Sequence, residues 1–206
     1  LMWDLKDFYL HFPIRPEDQD LMSIKWKKHI YNFTTLTFGW KESAYISSKA
    51  IRYVIAYLRS LGITMTQYCD EGIASIDAKN NPNSPIIEET TLSIQKTLKW
   101  LGLEVQEAKT DWIPKQSVLY LGLIIDTIKM KVFVPNHKMN NLYSLMSIIL
   151  KVSTISRKFL AKVAGKLNSI SLAFLPAKFL ARPFHNCIGR KKELETNYHF
   201  WSQRIT

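Results

Sequence analysis

Two acidic stretches hold the residues best placed to do chemistry in this chain. Asp70 and Glu71 adjoin in Gln67-Tyr68-Cys69-Asp70-Glu71-Gly72, and Asp4 and Asp7 stand in Trp3-Asp4-Leu5-Lys6-Asp7-Phe8-Tyr9. Asp70 and Glu71 interrupt two short apolar runs, Ile63 to Thr66 and Ile73 to Ile76, that read as the strands of a hairpin. Like charges held close at such a tip raise each other's pKa and cost desolvation free energy. A bound cation relieves both. Divalent ions such as Mg²⁺ take oxygen ligands, commonly one or two carboxylates with substrate phosphates, so a carboxylate from a second segment is needed, and Asp4 is the candidate. The same Asp-Glu-Gly is equally an ordinary tight turn in which Gly72 supplies a positive φ. On these residues alone both readings stand.

Charge supplies a second signal. Residues 1–130 carry 15 basic and 15 acidic side chains, whereas residues 131–206 carry 13 against 2, so the whole net charge of +11 falls in the C-terminal third. A basic segment after a balanced one fits a polyanionic partner, nucleic acid first, though a solvated basic surface has the same composition. Hydrophobic residues at 47% and charged residues at 22% exclude a disordered chain. No apolar run reaches the roughly 18 residues of a membrane span, and no signal pattern opens the chain. The expectation is a soluble intracellular protein, nuclear or cytoplasmic, without a membrane partner. Cys69 and Cys187 form neither a disulfide framework nor a zinc pattern. The first residue is Leu1 rather than Met, which reads as a piece of a longer polypeptide.

The elements that must position these groups follow from periodicity. Leu1 to Leu5 reads as a strand and Lys6 to Leu10 as a turn. Leu21 to Trp26 and His29 to Thr34 alternate as a hairpin with a Lys27-Lys28 tip. After Leu36-Thr37-Phe38-Gly39-Trp40, apolar residues Ala44, Ile51, Val54, Ile55, Leu58 and Leu61 recur at helical spacing until Gly62 stops them. A polar loop from Asp77 to Pro85 leads to a helix from Glu88 to Leu101. Strands are expected at Leu103 to Gln106, Val118 to Ile125 and Lys129 to Val134. From Pro135 the chain reads as helices: Asn136 to Leu150, Arg157 to Phe174, a shorter one bounded by Pro176 and Pro183, and Lys191 to Arg204. In the second of these, Leu160, Val163, Ala164, Leu167, Ile170 and Phe174 form one stripe, and Lys158, Lys162 and Lys166 lie at four-residue steps on another face. The fold class is α+β, with a mixed body over 1–134 and a basic helical part over 135–206.

Together these motifs resemble a reverse transcriptase. Trp3-Asp4-Leu5-Lys6-Asp7-Phe8-Tyr9 is similar to the first palm motif and Leu36-Thr37-Phe38-Gly39-Trp40 to the motif beneath the incoming nucleotide. Tyr68-Cys69-Asp70-Glu71 resembles the Tyr-x-Asp-Asp hairpin. Leu101-Gly102-Leu103 through Ala108-Lys109-Thr110 resembles the next motif, and Tyr120-Leu121-Gly122-Leu123-Ile124-Ile125-Asp126 the primer grip. Five motifs in order cover residues 1 to about 130. Beyond them, Leu160-Ala161-Lys162-Val163-Ala164-Gly165-Lys166-Leu167 is similar to the thumb of retrotransposons of the DIRS group, which carry a tyrosine recombinase. Tyr198-His199-Phe200-Trp201 is similar to the approach to a ribonuclease H domain.

The resemblance implies a palm of antiparallel sheet and packed helices over 1–134, followed by a thumb and connection over 135–206. It implies attack of a primer 3′-hydroxyl on the α-phosphate of a deoxynucleoside triphosphate along an RNA or DNA template, aided by two Mg²⁺ or Mn²⁺ ions roughly 3.5–4 Å apart. Asp4, Asp70 and Glu71 are then the metal ligands and Lys109 a proton donor to the leaving pyrophosphate. Tyr9 becomes the gate against the sugar 2′-hydroxyl, with Phe38, Gly39 and Tyr68 beside the substrate. Gly122, Lys158, Lys162 and Lys166 would touch nucleic acid. Asp7 reads either as a further site residue or as a structural acceptor for backbone amides. Departures from the family pattern are Glu71 for the second Asp, Gln67 and Gly72 where apolar residues are usual, and Tyr45 at a proline position. The fingers segment would precede Leu1. These departures suit an N-terminally truncated, partly degenerate element, so an inactive nucleic-acid-binding remnant is the alternative.

Overall fold

The computed structural model describes residues 1–78, 81 and 84–189. The expected helix from Lys191 to Arg204 and the Tyr198 to Trp201 stretch lie outside them. The chain divides into two compact units, the first ending at Lys115 and the second beginning at Gln116, ahead of the composition change at Pro135.

In the first unit, β1 (Met2–Asp4), β5 (Glu71–Ser75) and β4 (Thr64–Tyr68) form an antiparallel sheet in the order β1-β5-β4. Side chains alternate across it, so Trp3, Met65 and Ala74 enter the core while Asp4 and Glu71 take the other face. Two helices, α1 (Ser43–Ser60) and α2 (Pro85–Trp100), add Ile51, Leu58, Ile94 and Leu98 to that core. Each such apolar side chain contributes about 1.5–3 kcal/mol on burial. The buried face of α1 is Ser43, Ser47, Ile51 and Leu58, with Val54 and Ile55 half-buried; Ala44 and Leu61, expected on the core stripe, are exposed. Ser47 enters because its hydroxyl donates to the Ser43 carbonyl at 2.6 Å, which removes the cost of burying it. A separate hairpin, β2 (Ser23–Trp26) with β3 (His29–Asn32), turns at Lys27-Lys28 as its alternation predicts.

Two further expectations in the first unit are corrected. Leu103 to Gln106 is not a strand; it touches the sheet through a single bridge between Leu5 and Val105 and through the Lys6 amide, which donates to the Glu104 carbonyl at 2.9 Å. Gly72 does not make the hairpin turn. Cys69 and Asp70 are the turn residues, and Cys69 adopts the positive φ of 50°. For a side chain other than glycine that conformation costs roughly 1–2 kcal/mol, offset in part by the Gln67 amide, which donates to the Cys69 carbonyl at 2.9 Å.

The second unit opens with an antiparallel meander, β6 (Ser117–Tyr120), β7 (Leu123–Asp126) and β8 (Lys131–Phe133). The expected single strand from Val118 to Ile125 is two strands, because Leu121 and Gly122 take φ of 48° and 72° and make a tight reversal between them. Helices α3 (Asn136–Lys151), α4 (Arg157–Ser169) and α5 (Pro176–Gly189) follow. Their core is Leu142, Leu145, Val163, Leu167, Ile170, Ala177 and Ala181. Ser156 caps α4, its hydroxyl accepting from the Phe159 amide at 3.2 Å. The expected helix from Arg157 to Phe174 stops at Ser169, and Phe174 is exposed. Pro183 lies inside α5 rather than at its end, so the carbonyl four residues before it loses its helical donor. No helix among the described residues is long and apolar enough to cross a membrane.

Candidate active site

Asp4 is the last residue of β1, and its direct cross-strand partner is Glu71, the first of β5; Glu71 in turn faces Tyr68, the last of β4. These three side chains occupy one row on one face of the sheet. Directly opposed residues hold their Cβ atoms about 4.5–5.5 Å apart, so two carboxylates there repel. Asp70 is fixed beside them, its carbonyl accepting from the Leu5 amide at 2.9 Å. Asp4 is buried, while Asp70 and Glu71 are half-buried.

The segment after Leu103 closes over Asp4 from the other edge. The Gln106 amide donates to the Asp4 carbonyl at 2.8 Å. The Thr110 hydroxyl accepts from the Asp4 amide at 3.2 Å and donates to the Gln106 carbonyl at 3.0 Å. Between these anchors a 3₁₀ turn, Glu107–Lys109, brings the Lys109 Nζ to 3.5 Å from Asp4 Oδ2. That ammonium is well exposed, so it offsets the repulsion of Asp4 by Glu71 only in part.

Next along, Asp111 exchanges backbone hydrogen bonds with Met2, at 3.1 and 2.8 Å. The Lys115 ammonium first, and the Ile113 amide with it, hold the Asp111 carboxyl below its ordinary value against the opposing effect of burial. A lowered carboxylate stabilises the fold in full above the unfolded value near 3.9, and this is lost as pH falls through the folded value. Asp111→Asn should therefore melt below the parent at pH 7, with the gap closing below about pH 4. A gap of constant size in paired thermal melts would contradict the assignment.

Tyr9 rides on a 3₁₀ helix, Phe8–His11, whose Phe8 is buried in the core. Its ring meets Phe38 edge-on, at 5.1 Å between centroids and 76° between planes. Burial first, then Cys69, Asp70 and Tyr68 of the hairpin, hold the Tyr9 phenol above its ordinary value. Phe38 is 72% exposed, and Gly39 follows with φ of 87°. Their loop is held to α1 by Ser43, whose hydroxyl donates to the Thr37 carbonyl at 2.6 Å. It is held to the Tyr9 segment by the Leu36 amide, which donates to the Phe12 carbonyl at 2.9 Å. Asp7 takes φ of 49°, and its backbone carbonyl, not its carboxylate, accepts from the Leu10 amide at 2.8 Å. The side chain makes no cap hydrogen bond, against the reading of Asp7 as a structural acceptor for backbone amides.

The structure thus brings Asp4, Glu71, Tyr68, Asp70, Lys109, Tyr9 and Phe38 to one region. Gly122, Lys158, Lys162 and Lys166 belong to the second unit. There Gly122 lies under Lys138, whose ammonium would overlap a Cβ at that position. Lys158 and Lys162 are exposed on α4 and Lys166 is half-buried. Thr110 and Gln67 brace the site; the motif resemblance includes Thr110 and marks Gln67 as a departure, but neither residue's bracing hydrogen bond has a local sequence signal.

Among the described residues no three His, Cys, Asp or Glu side chains cluster closely enough to hold a cation by themselves. Mg²⁺ needs fewer: one or two carboxylates suffice when waters and phosphate oxygens complete its octahedron. Asp4 opposite Glu71, with Asp70 alongside, supplies hard oxygen donors whose mutual repulsion a cation relieves, so these residues fit such an ion.

Residues 1–125 match the reverse transcriptase (RNA-dependent DNA polymerase) family, and the chain belongs to it. No curated protein sequence matches the chain. Its fold is similar to that of the foamy viral protease-reverse transcriptase in complex with an RNA/DNA hybrid, with a TM-score of 0.67 and 17% identity. That match covers 91% of this chain and 23% of the viral one. A form of the viral protein described as dRH in complex with double-stranded DNA gives 0.68 and 15% over 91% and 30%. A third, with double-stranded DNA, gives 0.65 and 14% over 91% and 36%. The chain spans about a quarter to a third of the length of these structures.

Proposed function

We propose that the chain is the palm, over 1–134, and the thumb and connection, over 135–206, of a polymerase that extends a primer 3′-hydroxyl with deoxynucleoside triphosphates along an RNA or DNA template. The observation that carries this reading is the row Asp4-Glu71-Tyr68 with Asp70 in the adjoining turn, in a chain of the reverse transcriptase family. Asp4 and Asp70, with Glu71 beside them, would hold Mg²⁺ or Mn²⁺, which when bound neutralises charge on phosphate oxygens. Lys109 is within reach of the same place and is the proton donor to departing pyrophosphate. Tyr9, backed by Phe38, fills the space beside the sugar and excludes a 2′-hydroxyl. Solved relatives bound to an RNA/DNA hybrid and to double-stranded DNA support a template-primer duplex as partner. In the longer polypeptide we place this chain in an element of the DIRS group, with a ribonuclease H domain as covalent neighbour.

A second reading, a remnant that binds nucleic acid without catalysis, is favoured by the Lys109 ammonium paired with Asp4 and by the longer Glu71 side chain. Binding and incorporation measured on one preparation separate the two. Both readings give tight template-primer binding that weakens steeply with salt, while only the first gives metal-dependent incorporation. Lys158, Lys162 and Lys166 are assigned to duplex phosphates, so replacing all three by Gln should lower the salt slope by about 2 to 3. An unchanged affinity and slope would remove them from the interface.

A further inference from the structure

The His11 ring bonds through both nitrogens to two segments far apart in sequence. Nε2 lies 3.0 Å from the backbone nitrogen of Glu104, and Nδ1 lies 3.3 Å from the carbonyl oxygen of Phe8. The partners fix the protons. An amide N–H can only donate, so Nε2 is an acceptor; a carbonyl can only accept, so Nδ1 carries the hydrogen. His11 is therefore neutral in this arrangement, and a second proton would set an N–H against an N–H at Glu104.

The two segments matter to the site. Phe8–His11 is the turn that carries Tyr9. The Glu104 backbone is docked on β1's exit, its carbonyl accepting from the Lys6 amide at 2.9 Å, and two residues on, the Gln106 amide donates to Asp4. The Gln106 carbonyl then accepts from the amide of Lys109 at 3.0 Å. His11 thus joins the Tyr9 turn to the strap that places Lys109.

We propose that His11 is a positioning residue for sugar selection: as the Nδ1–H tautomer it locks the Tyr9 turn to the Glu104–Gln106 strap. This rests on the reading of Tyr9 as the gate against the 2′-hydroxyl. The test measures the ratio of kcat/KM for deoxynucleotide over ribonucleotide incorporation by the full-length protein, with the parent, His11→Gln and His11→Phe. The parent should keep a ratio about fivefold above that of His11→Phe, the effect of one hydrogen bond lost. His11→Gln, whose amide accepts from Glu104 and donates to Phe8, should keep the parent's ratio. A His11→Phe ratio equal to the parent's, or a His11→Gln ratio as low as that of His11→Phe, overturns the proposal. No incorporation by the parent instead overturns the polymerase reading and the gate role with it. Imidazole ¹⁵N shifts and Glu104 amide exchange then decide the lock: an Nε2–H tautomer, or protection undiminished in His11→Phe, removes it.

Discussion

Gly72→Ala is expected to destabilise the protein by about 3 kcal/mol, at the upper end of what one added methyl costs in a packed core. Gly72 lies on β5 between Trp3 of β1 and Gln67 of β4. A Cβ there would overlap the indole of Trp3. The ring has nowhere to retreat, because Trp3 is 0% exposed and stacks on Trp112 with centroids 6.2 Å apart and planes 11° from parallel. The packing is close enough that Trp3 Nε1 is buried without a hydrogen-bond partner. A glycine that looks like decay of an apolar palm position is thus the space into which this core tryptophan fits. Urea denaturation of Gly72→Ala, Trp3→Leu and the double variant checks it. The smaller side chain should recover 1 kcal/mol or more of the alanine penalty, a coupling of the size that contacting residues show. Strictly additive losses would mean that the two residues do not meet.

Asp4→Asn is expected to reduce nucleotide incorporation by about three orders of magnitude, several kcal/mol of transition-state charge stabilisation, while leaving the melting temperature unchanged or higher. The two effects have opposite sign for one reason. Asp4 is a buried carboxylate directly opposite another, and like charges so opposed disfavour the folded chain; in the proposed polymerase a bound cation shares that charge. The loss of its pairing with exposed Lys109 is worth at most about 1 kcal/mol. Equal losses of stability and activity would make Asp4 a structural residue, and retained activity would place the chemistry elsewhere.

The apolar runs Ile63 to Thr66 and Ile73 to Ile76 made the hairpin legible, and its acidic tip drew attention to Asp4 across the sheet. Helical periodicity likewise located α1 to α3 within a few residues and the start of α4, which ends five residues earlier than its stripe suggested. What the sequence could not show was register. It presents Asp70 as the natural partner of Asp4, whereas the strand pairing puts Glu71 opposite and Asp70 in the turn. The break at Leu121-Gly122 was hidden because apolar residues continue on both sides of a tight reversal. Contacts such as His11 with Glu104, 93 residues apart, leave no local pattern, and Gly72 could be understood only once Trp3 was seen lying over it.

Primer extension on an RNA template, with deoxynucleotides and Mg²⁺ and with Asp4→Ala beside the parent, tests the central claim most directly. Extension by the full-length parent that vanishes in Asp4→Ala, with template-primer still bound by both, is the predicted result. Binding without extension by the parent, or extension that survives in Asp4→Ala, would contradict it.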